Sequence, residues 1–168
     1  ATLEFNHSNI EIYDGSLSGT GFLKVDSPGS VILNGDSSAF TGTAAINGTT
    51  TVNGILGAEA LTVSLTGKLD GNGRVLGNTT FESGGTLAGT QGTTMHFDKN
   101  LVLERGSILD LEFGTASNQA LFSVGGDLTL KGVVNATSIG GFGAGTYRVF
   151  DYTGQLVNAD SAAADIEF

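Results

Sequence analysis

Apolar side chains recur along this chain in short rows of two or three, alternating with small polar or charged residues. Leu61, Val63 and Leu65 alternate with Thr62 and Ser64; Leu109, Leu111 and Phe113 alternate with Asp110 and Glu112. A period of two is that of a strand with one buried and one wet face. The same pattern predicts strands around Leu3, Ile10, residues 22–25, 31–33, 44–46, 50–52, 95–97, 101–103, 121–124, 128–130 and 133–137. Turn residues separate the rows. Pro28-Gly29 suits the centre of a type II turn, and Asn47-Gly48 suits a two-residue hairpin or turn. No stretch keeps a helical period with caps. Residues 158–165 are Ala-rich but hold few large apolar side chains, so they read as a loop.

No single row could fold alone, so the rows must be assembled by a longer repeat. Leu23, Ala44, Leu65, Leu87, Leu109 and Leu130 follow one another at a nearly even step, roughly the length of one solenoid repeat. A period near 20 with two or three short strands per unit predicts an all-β fold, a parallel β-helix with coils of roughly 20–22 residues. A β-sandwich would show longer strands joined by hairpins every 8–12 residues. Roughly eight coils stacked about 4.8 Å apart give a rod of about 38 Å. Small turn residues would ladder up its outside and aliphatic side chains up its inside. Its two ends need caps, because an open strand edge invites pairing.

Composition sharpens this picture. Gly accounts for 27 of the 168 residues and Pro for one, and charged residues make up only 14%. That is well below the roughly 25% of ordinary globular domains and suits a turn-rich β architecture. Seventeen acidic residues against seven basic ones give a net charge of -10. Such a surface repels phosphate backbones and anionic headgroups, so neither nucleic acid nor a membrane surface is an expected partner. Cysteine is absent, which avoids stray disulfides in a chain that crosses an oxidising compartment unfolded. Ala1 opens directly into a strand-like segment, suggesting a piece of a longer chain.

Catalytic chemistry finds little to stand on. Nucleophilic catalysis needs a base beside the nucleophile, and only His7 and His96 are available. His96 falls on the outward side of a strand and His7 in a polar turn, and no nucleophile elbow occurs. Asp110 and Glu112 share a strand face about 7 Å apart, a spacing glycosidases use, but a solvated strand face is the better reading of them. Glu4 would join them only if the coils brought it there. Arg74, Arg105 and Arg148 are too scattered for a lyase site. Asp70-Gly71-Asn72-Gly73 lacks the further ligands of a calcium loop. Residues 140–145, GGFGAG, read as a loop over the solenoid's end rather than a dinucleotide fingerprint. Thr41 and Thr43 do not recur on every coil, as an ice-binding face would require. No catalytic, cofactor-binding or metal-ligating residue is therefore assigned, no cofactor is expected, and the chain reads as non-enzymatic.

Residues 19–54, GTGFLKVDSPGSVILNGDSSAFTGTAAINGTTTVNG, carry Gly19, Gly21, Leu23, Lys24, Gly29, Val31, Leu33, Gly35, Phe40, Gly42, Ile46, Asn47, Gly48 and Val52. In that order they resemble the repeat of autotransporter passenger domains. Residues 69–89, 101–113 and 121–136 are similar to later strands of the same family, and residues 145–154, GTYRVFDYTG, to a strand near the passenger's C-terminal end. The likeness implies a right-handed parallel β-helix, secreted through the outer membrane of a Gram-negative bacterium by its own C-terminal translocator barrel. It divides the chain into regular coils over 1–100 and an autochaperone-like end region over 101–168. In that end region Leu109, Leu111, Leu128, Leu130, Tyr147 and Val149 are the expected core. The family pattern usually carries on past residues 147–153, so an excised passenger fragment with an incomplete end cap is expected.

The function so implied is that of a stalk. It would support adhesion to a host-cell surface, an extracellular-matrix component or other bacterial cells, with a role in virulence, and would assist its own secretion by templated folding. A monomer is expected. An alternative is a carbohydrate-binding or carbohydrate-cleaving β-helix whose active coils lie outside this stretch. A third reading is a trimeric phage or other fibre.

Overall fold

The computed structural model describes residues 1–64 and 66–157. Leu65 and the loop expected over 158–165 lie outside those residues. The chain winds in coils of up to three short strands. The first coil has two, β1 (Thr2–Phe5) and β2 (Ile10–Tyr13). Three-sided coils follow: β3 (Phe22–Val25), β4 (Ser30–Leu33) and β5 (Asp36–Ser37), then β6 (Thr43–Ile46), β7 (Thr49–Val52) and β8 (Ile55–Leu56). Next come β9 (Ala60–Val63), β10 (Lys68–Asp70) and β11 (Arg74–Val75), then β12 (Asn78–Phe81), β13 (Thr86–Thr90) and β14 (Met95–Phe97). The last two are β15 (Leu101–Leu103), β16 (Ile108–Phe113) and β17 (Phe122–Val124), and β18 (Leu128–Leu130), β19 (Val133–Ser138) and β20 (Phe150–Tyr152). β21 (Leu156–Val157) begins a further coil.

These strands stack into three sheets of eight, seven and six strands among the described residues. The first sheet runs from β1 to β21, the second from β2 to β19 and the third from β5 to β20. Every strand pair is parallel. This is the all-β parallel solenoid expected, with six complete coils.

The steps from rung to rung on the first sheet, between Leu3 and Leu156, differ widely in length. Ala44 pairs with Leu61, a step of 17, whereas Leu128 pairs with Leu156, a step of 28. The even series read from the sequence therefore does not trace one column. Leu23 and Ala44 do pair on the first sheet, and Leu87 and Leu109 on the second, but Leu130 returns to the first opposite Leu103. The reason is geometric. Insertions enter at the corner between the second and third sheets, which grows from residues 34–35 to residues 139–149. A longer corner adds loop but leaves the pairing of the strands unchanged.

The interior is built from columns of inward side chains, mostly apolar and varied in size. Phe81, Phe97, Phe122, Leu61, Leu69, Leu87 and Leu101 are fully buried. Phe122 needs Gly89: a Cβ there would lie 2.6 Å from the Phe122 ring. Corner glycines serve stacking more than turn conformation. Gly29 and Gly48 are absent from the positive-φ glycines, so Pro28-Gly29 is not a type II turn and Asn47-Gly48 is not a hairpin. Instead a Cβ at Gly29 would overlap the Asn9 carbonyl oxygen, and one at Gly48 the Ser27 carbonyl oxygen. The neighbouring coil leaves no room.

Ser37, Thr50 and Thr79 are buried polar side chains in the interior columns. Thr50 stands between Val31 and Leu69, fully buried, and its hydroxyl has no hydrogen-bond partner among the described residues. A buried hydroxyl without a partner costs stability. Thr50→Val keeps the shape and removes that cost. Urea unfolding should show the variant more stable by about 1 kcal/mol, with an unchanged slope.

Candidate functional site

A polar cleft lies on the outer face of the second sheet. Outward positions alternate with the buried Leu69, Leu87 and Leu109, so Asp70, Ala88 and Asp110 stack in one outward column. Ala88 is small, and it leaves a cleft of about 390 Å³ bordered by Lys68, Asp70, Asn72, Thr90, Asp110 and Glu112. The Thr51 hydroxyl donates to Asp70 at 2.6 Å and the Thr90 hydroxyl to Glu112 at 2.7 Å. Lys68 Nζ stands 3.5 Å from Asp110. The cleft can accept hydrogen bonds from hydroxyls or amines. Among the described residues no group of three or more His, Asp and Glu side chains could hold a metal ion. Glu4 is remote from this face; it lies on the first sheet, 3.2 Å from Lys24.

The register brings together one set of residues that the sequence did not announce. On the outer face of the third sheet Arg74, His96, Ser123 and Asp151 occupy successive rungs. Serine, not histidine, takes the place beside the carboxylate. No hydrogen bond joins His96 to Ser123 among the described residues, and Asp151 pairs with Arg148 at 3.0 Å. A base-activated nucleophile is not assembled there. His7 is half-buried rather than solvated: its Nδ1 lies 2.9 Å from the Asn9 carbonyl oxygen, and Nε2 is buried without a partner among the described residues.

Elsewhere the outside is laddered. Asn34 donates to Asp14 at 2.8 Å and Asn53 to Asn34 at 3.1 Å, one corner above another. Asn47 donates to Asp26 at 2.6 Å, and the Ser64 hydroxyl donates to Asn47 at 3.0 Å. Asn100 and Asp127 side chains accept the backbone N–H groups of Asp127 and Gln155. Lys24 joins Glu4 and Asp26, and Arg74 joins Asp98 at 2.6 Å. Apart from Lys24–Asp26, which lies within one coil, these contacts join successive coils at the surface.

Of the expected end-region core, Leu109, Leu111 and Leu128 are buried, and Leu130, Tyr147 and Val149 are half-buried against the core. Leu109 lies on the second sheet between Leu87 and Val134, and Leu128 on the first between Leu101 and Leu156. The Tyr147 ring sits 5.0 Å from Phe113 and 4.9 Å from Phe142, and its hydroxyl accepts from the Gly143 N–H at 3.0 Å.

Both ends of the described solenoid are apolar and open. Ile10 and Ile12 are exposed at one end, Val133, Ile139, Phe142 and Leu156 at the other. Repeating coils stacked around an apolar interior make the described residues a β-solenoid. The chain is 34% identical, over an alignment of 168 residues covering 92% of it, to the adhesin BmaC autotransporter of Brucella suis biovar 1 (strain 1330). It is a relative of an autotransporter adhesin, folded as a passenger-type β-helix. The chain spans about 5% of that protein's length. No protein-family model matches it. Kinship with an autotransporter adhesin implies a surface-exposed protein exported through the outer membrane.

The surface ladders of this passenger-type solenoid should make its stability sensitive to acid. Hydrogen bonds from Lys24 first and Asn47 second hold the Asp26 carboxyl below the usual carboxylate range. A folded pKa below the unfolded value of about 3.9 stabilises the fold above that pH. The gain is lost as pH falls through the folded value. Asp26→Asn should flatten the loss of thermal stability between pH 5 and 2, read as Tm against pH.

Proposed function

We propose that this chain is a non-enzymatic stalk segment of a surface autotransporter passenger that supports adhesion. The observation that carries this reading is the pairing of an unbroken parallel solenoid with kinship to an adhesin of this secretion type. A rod of stacked coils resists bending and holds distal regions away from the cell. The partners would be a host-cell surface, a matrix component or other bacterial cells, engaged through the whole passenger, with a contribution to virulence.

In this reading residues 101–168 serve as an autochaperone-like part and residues 1–100 as regular coils. Each coil hydrogen-bonds only to its neighbours, so a coil that has folded offers the next one a ready edge. Support for the special position of the end region comes from its longer strands, six residues in β16 and β19, and from the Phe113, Phe142 and Tyr147 rings.

A second reading, carbohydrate binding, is favoured by the cleft between Lys68, Asp70, Asp110 and Glu112. Glycan-array binding by the purified chain, abolished in Asp70→Asn/Asp110→Asn, would favour it over a plain stalk.

Leu130→Asp tests the end region. It places a carboxylate against the core beside Leu103, where an unpaired charge is costly. The purified variant should lose protease resistance from residue 101 onward, and a passenger carrying it should reach the cell surface more slowly. Wild-type protease resistance and secretion would remove the end region from the folding scheme.

A further inference from the structure

Corners of this solenoid carry the pair Asn-Gly at Asn34-Gly35, Asn47-Gly48, Asn53-Gly54 and Asn72-Gly73. The pair is chemically labile. With no side chain on the glycine, its backbone nitrogen can reach the asparagine side chain and close a five-membered ring. The fold opposes this by holding the reacting groups. Gly48, Gly54 and Gly73 donate their N–H groups to the Val25, Leu33 and Val52 carbonyls of the coil beneath, at 3.2, 3.0 and 2.8 Å. The Asn47 side chain is held at both ends, donating to Asp26 and accepting from the Ser64 hydroxyl. Asn34 is likewise held between Asp14 and Asn53, and Asn53 donates to Asn34.

Asn72 is held differently. Thr51 pairs with Asp70 and Ile55 with Arg74, so Asn72 stands one coil above Asn53 and continues the column of Asp14, Asn34 and Asn53. Yet its side chain is exposed and makes no hydrogen bond among the described residues. The corner changes course just before it, at Gly71 with a φ of 124°. The coil above carries no asparagine between Ala88 and Met95 to extend the column. The hydrogen bond from Gly73 to Val52 restrains the attacking nitrogen, but nothing restrains the group it would attack.

We propose that Asn72 is a site of spontaneous deamidation whose conversion makes the polar cleft more acidic. The Gly73 nitrogen loses its proton and bonds to the Asn72 side-chain carbonyl carbon. The bond from that carbon to the side-chain nitrogen breaks, and ammonia leaves with the proton. Water then opens the cyclic imide at one of its two carbonyls, leaving aspartate or isoaspartate at position 72. Asn72 borders the cleft beside Asp70, Asp110 and Glu112, so the new carboxylate joins three others around Lys68. The isoaspartate product also lengthens the main chain by one carbon. It does so at a tight corner, where a Cβ on Gly73 would already overlap the Gly54 carbonyl oxygen. This modification does not depend on whether the chain serves as a stalk or binds a glycan.

Trypsin cuts after Lys24, Lys68 and Arg74, so the peptide of residues 69–74 reports Asn72 alone and that of residues 25–68 the other three. The purified 168-residue chain is kept folded at mildly alkaline pH and sampled by mass spectrometry with fragment-ion sequencing. Asn72 should convert roughly tenfold faster than Asn34, Asn47 or Asn53, as the loss of one or two restraining hydrogen bonds implies. In urea all four should convert at comparable rates, because each is followed by glycine. Asn34→Ala removes the acceptor of Asn53 and should bring Asn53 toward the rate of Asn72, with residues 69–74 unaffected. Equal rates at the four sites in the folded chain would overturn the assignment. So would the same preference for Asn72 in urea, or an Asn53 rate that Asn34→Ala leaves unchanged.

Discussion

Hydrogen bonding between successive coils is the constraint on which the rest of this structure depends. Among the described residues no strand is longer than six residues, and none has a partner within its own coil. Each backbone row is satisfied only by the rows directly before and after it in the stack. Coils must therefore sit at strand spacing along their whole perimeter, corners included. That is why corner glycines such as Gly29 and Gly48 have a carbonyl oxygen of the preceding coil where a Cβ would stand. It is also why the polar groups at the corners pair along the stack, Asp14 to Asn34 to Asn53, instead of within a turn.

This division of labour separates the interior from the perimeter. Inside, neighbouring coils need only side chains of compatible bulk, so Leu, Val, Phe and even Thr share columns. Where bulk rises, a neighbour gives way, as Gly89 does for Phe122. Outside, the corner between the second and third sheets absorbs insertions of any length without disturbing the ladder. A passenger built this way can vary its loops and outer faces while its shaft stays constant. The polar cleft over Ala88 and the aromatic group of Phe113, Phe142 and Tyr147 are both products of that freedom.

Much of the fold was legible in the sequence because strand alternation and corner residues are local signals. The rows at 61–63, 108–113 and 128–130 became strands with the expected faces. The corners were misjudged in kind. Pro28-Gly29 and Asn47-Gly48 carry the residues of tight turns, but the demand on them comes from the coil beneath, which is remote in sequence. The cleft was half visible: Asp110 and Glu112 were recognisable as a shared face, yet their neighbours Lys68 and Asp70 come from another coil. His96, Ser123 and Asp151 align only through a register that the sequence does not state.

By itself the sequence determined that the described chain is all-β, which faces of its strands are apolar, and that its short strands recur as the coils of a solenoid. These follow from side-chain periodicity and the scarcity of helix signals, which act within a few residues. The tertiary structure alone decided which row stacks on which, because a step of 17 and a step of 28 both present an apolar row to the interior. Only the summed hydrogen bonding of three sheets at once selects between them.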